Sequence, residues 1–159
     1  MKFLSAPWRW NFISKIGAHR GCIFCQAVTK PEEDSLVCFR GRQFFIILNK
    51  YPYATGHLMI VPFKHLATPD LISSDAVAEM WDLMNRSIHI LENCFHPDGF
   101  NIGINLGKSA GAGVKGHFHL HVVPRWQGDA NFMVTVGKTK VMSYNIKEIH
   151  KILTGEFNK

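Results

Sequence analysis

Short apolar runs separated by turn residues predict a β-sheet along much of the chain. Runs of this kind are typical of strands, and glycine and proline mark the turns between them. The predicted strands are Leu36–Phe39, Phe44–Leu48, His57–Val61, Phe100–Leu106, His117–Val123 and Phe132–Val136. The first two should form a hairpin around Arg40-Gly41-Arg42.

One long segment, Asp70–Phe95, has helical periodicity instead, because its apolar residues recur three and four positions apart. These apolar residues are Ala76, Val77, Met80, Trp81, Met84, Ile88 and Leu91. Candidate caps at its start are Ser73, Ser74 and Asp75. The sequence His96-Pro97-Asp98-Gly99 should end this helix, and Asn145–Leu153 predicts a second, shorter one.

An antiparallel sheet packed with one main helix is an α+β fold, and 159 residues suit a single domain over 1–159. Met1–Arg20 has no clear period and is predicted to be an N-terminal arm. Cys22–Cys25 is predicted to form a tight knuckle beside it.

Composition excludes several classes of protein. Hydrophobic residues make up 47% and charged residues 19%, unlike a disordered chain or a coiled coil. The longest apolar run, Phe44–Leu48, is too short to cross a membrane. Pro7, Trp8 and Arg9 interrupt the N-terminal stretch before a signal sequence can form, so we expect a soluble, cytoplasmic protein.

The net charge of +6 favours anionic partners. Charge alone does not separate nucleotides from nucleic acid. The lysines are spread along the chain, and no recognised nucleic-acid motif is present. Nucleotides or phosphates are therefore the expected partners, and nucleic acid is not.

Three histidines, His117, His119 and His121, alternate with apolar residues. Since side chains alternate between the faces of a strand, the histidines should share one face and Phe118 and Leu120 the other. The preceding strand repeats this pattern, with Phe100, Ile102, Ile104 and Leu106 on its apolar face. Asn105 and neighbouring glycines would then lie beside the histidines and line a cleft.

A glycine-rich loop, Gly107–Gly116, joins these two strands. Such a loop can direct backbone N–H groups towards an anion, and Lys108 and Lys115 add positive charge. The loop lacks the glycine-lysine-hydroxyl ending of a Walker motif.

The histidine cluster favours phosphoryl chemistry on an imidazole nucleophile. A neutral imidazole can attack phosphorus to form a phosphoramidate, provided that its other nitrogen has an acceptor. The nearest acid after the cluster is Asp129, which disfavours a carboxylate mechanism. A catalytic metal is the alternative, because a histidine pair on a strand is also a good ligand set.

Four cysteines are present, and Cys22 and Cys25 form a CxxC pair. Without a signal peptide, a metal-binding or redox role is the expected one for this pair. Cys38 and Cys94 lie among apolar residues and are predicted to be small core residues.

These features resemble the histidine-triad family, whose signature is HxHxH followed by two apolar residues, as in His117–Val123. Leu48–Pro62 is similar to the first conserved block of the family, and Phe100–Arg125 to the second. Ala6–Arg9, the CxxC pair and Pro124–Phe132 most resemble the bacterial and archaeal branch related to diadenosine tetraphosphate phosphorylases.

The resemblance implies a role for each matching residue. His119 would be the nucleophile, His121 would bind the phosphate under attack, and His57 would support the triad that begins at His117. Asn49 matches a residue that holds the ribose, and Ile47 one that contacts the base. Further candidate nucleotide contacts are Asn105, Gly111 and Gly113.

Several members of the family bind a structural zinc ion. The matching ligands here are Cys22, Cys25, His65 and His117, which would form a closed tetrahedral site. No organic cofactor is expected. Family members are commonly homodimers, so the resemblance also implies a homodimer.

The resemblance predicts a nucleotidyl transferase or hydrolase that cleaves dinucleoside polyphosphates through a nucleotidyl-histidine intermediate. An adenosine phosphoramidase and a nucleotide-binding module with little catalysis are the alternatives. Some phosphorylases of the nearer branch carry serine where Gly113 stands, and many fragile-histidine-type hydrolases carry glutamine at Asn105. Phosphorolysis and hydrolysis therefore both stay open.

Overall fold

The computed structural model describes residues 21–31, 35–107, 109–114, 116–129 and 145–159. Within these residues, the strands are β1 (Val37–Arg40), β2 (Phe44–Leu48), β3 (Leu58–Pro62), β4 (Gly99–Ile104) and β5 (Leu120–Arg125). They form one antiparallel sheet in the order β1-β2-β3-β5-β4. The α-helices are α1 (Ile23–Ala27), α2 (Ser74–Phe95) and α3 (Ile146–Phe157), and a short 3₁₀-helix spans Pro69–Leu71. The α+β prediction is confirmed.

The element boundaries differ from the sequence predictions in several places. His57, His117 and His119 lie just before strands β3 and β5 rather than within them. The long helix begins at Ser74, because Pro69–Leu71 forms a separate 3₁₀ turn and Ser73 accepts the amide of Ala76 as the cap. The predicted knuckle is the helix α1, with Cys22 at its N-cap position.

Some predictions fall on residues outside the described ranges. They are the arm over Met1–Arg20 and the strand over Phe132–Val136. The second helix is confirmed but is longer than Asn145–Leu153, since it ends at Phe157. Asn145 and Glu148 form a capping box at its start.

The strand register gives the sheet two faces with different composition. Ile46, Ile60 and Leu120 align across neighbouring strands and belong to the main core. Ile47, Met59 and His121 align in the adjacent row and so face the opposite side. The first face packs on α2, with Leu91 and Phe118 in the same core cluster. The histidines therefore lie on the face away from the long helix.

Two predicted apolar positions of α2 do not reach the core. Val77 and Trp81 are 44% and 59% exposed, whereas Ala76, Met84 and Leu91 are buried. A helix that packs on one sheet buries only one stripe of its surface, and the predicted stripe was too wide.

The apolar face of β4 is also only partly buried. Phe100 and Ile104 pack against the core, but Ile102 and Leu106 are exposed, contrary to the prediction. Strand β4 lies at the edge of the sheet, and it pairs only with β5 among the described strands. An edge position therefore gives its apolar residues less cover than a central strand would have.

A buried carboxylate fixes the turn between β1 and β2. Oε1 of Glu79 accepts the backbone N–H groups of Arg42, at 2.7 Å, and Gln43, at 3.1 Å. A Cβ on Gly41 would lie 2.5 Å from the same oxygen, so a larger residue there would displace the carboxylate from the turn. Glu79 on helix α2 therefore holds the hairpin that the sequence predicted.

We expect Glu79→Ala to lower the free energy of unfolding by about 2–3 kcal/mol, since it leaves charge-assisted hydrogen bonds unmade at a buried site. Urea denaturation followed by circular dichroism would measure the loss. Glu92→Ala, at an exposed position of the same helix, is the control and should change stability by less than about 0.5 kcal/mol. Equal losses for the two variants would contradict the role of Glu79.

Candidate active site

The predicted triad lies together on one face of the sheet. The rings of His119 and His121 have centroids 4.7 Å apart, and the ring of Phe24 lies 5.5 Å from His117 and 4.9 Å from His119. Only His121 belongs to a regular strand. The side chains before it nevertheless alternate in the same way, since Phe118 packs in the core on the opposite side of the sheet. The shared face that the sequence predicted is therefore present.

His119 has a fixed proton position. Its Nδ1 lies 3.0 Å from the backbone carbonyl oxygen of His117. A carbonyl can only accept, so Nδ1 carries the hydrogen and Nε2 keeps a lone pair in the neutral ring. Burial lowers the pKa of His119, and the bond to this carbonyl opposes that effect only in part. These are the properties of a neutral imidazole nucleophile.

His57 and His121 are hydrogen-bonded to each other, and their proton positions are also fixed. The backbone N–H of Tyr53 donates to Nδ1 of His57 over 3.1 Å, and Nδ2 of Asn49 lies 3.3 Å from the same atom. Nδ1 of His57 is therefore an acceptor, and its Nε2–H donates to Nδ1 of His121 over 2.9 Å. In neutral His121 the proton must then lie on Nε2. Nδ2 of Asn105 is 3.5 Å from that atom and is also a donor, so the Asn105 amide must turn Oδ1 towards the ring to accept this proton.

The side chain of His119 is covered in this structure. His119 is 4% exposed, and Phe24 packs against it. Phe24 belongs to a small apolar cluster on this face with Ile47 and Met59, and Val114 of the glycine-rich loop packs against that cluster.

The predicted ribose and base contacts lie beside the histidines. Ile47 aligns with Met59, which aligns with His121, so Ile47 is two strands from the triad on the same face. Oδ1 of Asn49 accepts the backbone N–H of Tyr51 at 3.0 Å. Asn49 therefore orders its own loop and contacts His57, apart from any contact with a ribose.

The glycine-rich loop is described in part. Gly111 has a φ of 83°, a left-handed conformation that favours glycine, and both Gly111 and Gly113 are half-buried. Lys108 and Lys115, whose charge the sequence analysis associated with the loop, lie outside the described residues.

The four residues that the resemblance implied as zinc ligands form a cluster next to the triad. The ligand atoms of Cys22, Cys25, His65 and His117 all lie within 4.8 Å of one another. Cys22 and Cys25 lie one turn apart at the start of α1, which brings both thiols to the same side. Nδ1 of His65 is 3.4 Å from Sγ of Cys25.

The proton positions in this cluster suit a metal ion. Nε2 of His117 lies 2.8 Å from the carbonyl oxygen of Pro62, to which it must donate. The lone pair of its Nδ1 then faces Sγ of Cys22, at 3.2 Å, and Sγ of Cys25, at 3.6 Å. Two thiols and two imidazoles form a tetrahedral Zn²⁺ site in many proteins, and these residues fit one.

Sequence reasoning missed several residues around the site. They are Phe24 over His119, the amide of Tyr53 that fixes His57, and the Arg125 side chain beyond His121. Backbone amides and ring contacts leave no signal in a sequence pattern. Arg125 and Asp129, four residues apart and 2.7 Å from each other, were visible only as part of the resembling stretch.

No helix in the described part of the chain combines the length and the apolar character needed to cross a membrane.

Comparison with known proteins gives consistent matches. A family model described as "HIT domain" matches residues 30–128. An AP-4-A phosphorylase of Mycobacterium tuberculosis is 34% identical in an alignment of 162 positions that covers 97% of this chain and 83% of that protein. An uncharacterized HIT-like protein of Methanocaldococcus jannaschii is 29% identical, over 84% of this chain and 99% of its own.

Among solved structures, the chain is similar to a zinc-bound histidine triad family protein from Mycobacterium smegmatis. The TM-score is 0.69 and the identity 28%, over 87% of this chain and 94% of that one. The family match covers more than half of the chain, and the fold and the histidine arrangement agree with it, so this protein belongs to the histidine-triad (HIT) family.

Proposed function

We propose that this protein is a nucleotidyl transferase or hydrolase that cleaves dinucleoside polyphosphates through a covalent intermediate on His119. Family membership and the AP-4-A phosphorylase relative support a nucleotide-processing enzyme of the hydrolase or transferase type. The observation that carries the proposal is the 3.0 Å bond from Nδ1 of His119 to the His117 carbonyl. This bond leaves Nε2 as the nucleophilic atom.

In the first step, the lone pair on Nε2 of His119 attacks the α-phosphorus of the bound nucleotide. A P–N bond forms as the P–O bond to the remaining phosphate chain breaks, and that chain leaves with the bonding electrons. Nε2–H of His121 donates a hydrogen bond to a phosphate oxygen while charge moves onto the phosphate. The carbonyl of His117 stabilises the charged ring that the attack produces.

In the second step, an oxygen of water or of inorganic phosphate attacks the same phosphorus. The P–N bond breaks and the electron pair returns to Nε2, which restores the neutral ring. An attacking water passes its proton to the solvent, whereas a phosphate ion attacks through an oxygen that carries none. Water yields a nucleoside monophosphate and phosphate yields a nucleoside diphosphate, so the products identify the acceptor.

We also propose that Cys22, Cys25, His65 and His117 hold a structural Zn²⁺ ion. The ion would tie α1 to the segment before β5, and α1 carries Phe24, the residue that covers His119. The zinc-bound relative from Mycobacterium smegmatis supports this proposal. His117 would take part in the triad mainly through its carbonyl, because Nδ1 faces the thiols.

His119→Ala should reduce turnover of diadenosine tetraphosphate by about 10⁴-fold or more, because the attacking atom is removed. His89→Ala, an exposed histidine on α2, is the matched control and should keep wild-type turnover. Mass spectrometry of the products, with and without inorganic phosphate, would measure both. If ADP and ATP form only when phosphate is present, the enzyme is a phosphorylase. If AMP and ATP form whether or not phosphate is present, it is a hydrolase.

Rapidly quenched wild-type protein should also carry a nucleotidyl adduct that is absent from His119→Ala. Full activity in a folded His119→Ala protein would contradict the assignment of the nucleophile.

His57→Phe should lower kcat by about 10²-fold with a smaller effect on KM, because His121 loses the donor that keeps its proton on Nε2. The change also leaves the amide of Tyr53 without its acceptor, so a lower melting temperature is expected. His89→Phe serves as the control. A rise in KM at constant kcat would show that His57 only shapes the binding site.

Protein purified without chelator should contain about one zinc ion per chain, and Cys25→Ser should lose that zinc and melt at a lower temperature. Cys94→Ser, outside the cluster, is the matched control and should retain zinc. Elemental analysis and thermal melting would give the two readouts. Metal-free wild-type protein with Cys22 and Cys25 oxidised to a disulfide would favour the redox alternative instead.

A further inference from the structure

A groove of about 260 Å³ leads away from His121 across the β4–β5 face. It begins at the residue implicated in phosphate binding and runs along the sheet towards the end of β5. Its lining includes Tyr53, Asn101, Gly103, Asn105 and Arg125. None of the roles implied by the family resemblance uses the part of this groove beyond Asn105.

Gly103 forms the floor of the groove. It pairs directly with His121 across the two strands, and a Cβ there would have no heavy atom within 4 Å. Gly103 is not among the glycines with positive φ, so the backbone does not require glycine at this position. Its contribution is therefore space: any larger side chain would project from the sheet beside His121.

A fixed cation lies at the far end. Nε of Arg125 donates to Oδ2 of Asp129 at 2.7 Å, and Nη1 donates to Oδ1 of Asn101 at 2.6 Å. A guanidinium has five N–H donors, so donors remain for the oxygens of an anionic ligand. Four strand residues, or roughly 13 Å, separate His121 from Arg125.

An aromatic side wall lies between these two ends. The ring of Tyr53 lies 4.8 Å from that of His57 and 6.2 Å from that of His121, and it borders the groove. Aromatic side chains next to a cationic groove are a common way to hold a nucleobase together with its phosphates. The groove therefore has an aromatic group for the base of a nucleotide and a cation for its phosphates.

The position of the groove relative to the predicted nucleoside contact is informative. Ile47, Met59, His121 and Gly103 form one row across four strands, in that order. Ile47, the base contact implied by the family, and Gly103 lie on opposite sides of His121. A phosphate held at His121 thus has a binding region on each side, as a substrate with two nucleosides requires.

Resting on the function proposed above, we infer that this groove binds the leaving half of the substrate, a second nucleoside with its phosphates. The bases of the two nucleosides would lie on opposite sides of the scissile bond. Gly103 leaves room for the leaving half, Tyr53 stacks on it, and Arg125 binds its phosphate oxygens.

The test measures binding without turnover. In a His119→Ala background, isothermal titration calorimetry would give the Kd of AMP and the Kd of diadenosine tetraphosphate. The parent should prefer the dinucleotide, and Gly103→Leu should reduce the ratio of the two affinities by about tenfold or more. Gly155→Leu is the control, because Gly155 lies on helix α3, is equally open and does not line the groove.

A parent that binds AMP and the dinucleotide equally well, or a ratio that Gly103→Leu leaves unchanged, would overturn the inference. If circular dichroism shows that Gly103→Leu does not fold, Arg125→Gln replaces it. The same ratio of affinities is then measured and should fall in the same way. Turnover of diadenosine tetraphosphate by the wild type tests the proposed function separately. If the wild type turns over this substrate but Gly103→Leu leaves the affinity ratio unchanged, only the assignment of the groove is wrong.

Discussion

The bond from Nδ1 of His119 to the carbonyl of His117 is the interaction on which the site depends. Buried imidazoles are costly unless each ring nitrogen has a suitable partner. A carbonyl partner at one nitrogen leaves the other free of hydrogen, and burial keeps the ring neutral by lowering its pKa. Geometry and desolvation thus favour the same protonation state, the one that can attack phosphorus.

The three neighbouring histidines differ in the hydrogen-bond partners of their ring nitrogens. His117 donates through Nε2 to the Pro62 carbonyl and turns Nδ1 towards two thiols, so its ring belongs to the cysteine cluster. His119 presents a lone pair, and His121 presents a hydrogen because His57 donates to its Nδ1. Identical side chains differ in chemistry because each nitrogen has a different backbone or side-chain partner.

The alternation around His119 correctly predicted that the histidines share one face and that Phe118 and Leu120 share the other, because successive side chains of an extended segment point to opposite sides. The periodicity of α2 identified the helix but overestimated its buried stripe at Val77 and Trp81, since a pattern shows spacing and not the extent of the surface it meets. The ring of Phe24 and the amide of Tyr53 could not be predicted. Their roles depend on tertiary contacts that bring distant segments to the histidines.

The sheet as a whole shows why the active face is asymmetric. On the β2–β3 side, Ile47 and Met59 belong to an apolar cluster with Phe24, which is close-packed and covers His119. On the β4 side, the edge strand has Gly103 opposite His121, with Gly99 and Asn101 on the same face, and Asn105 follows directly after the strand. An apolar, covered side suits a base that must be desolvated, and a polar, open side suits phosphates that stay partly hydrated. With the function proposed above, the first base would therefore lie on the apolar side of the histidines and the leaving half of the substrate on the polar side.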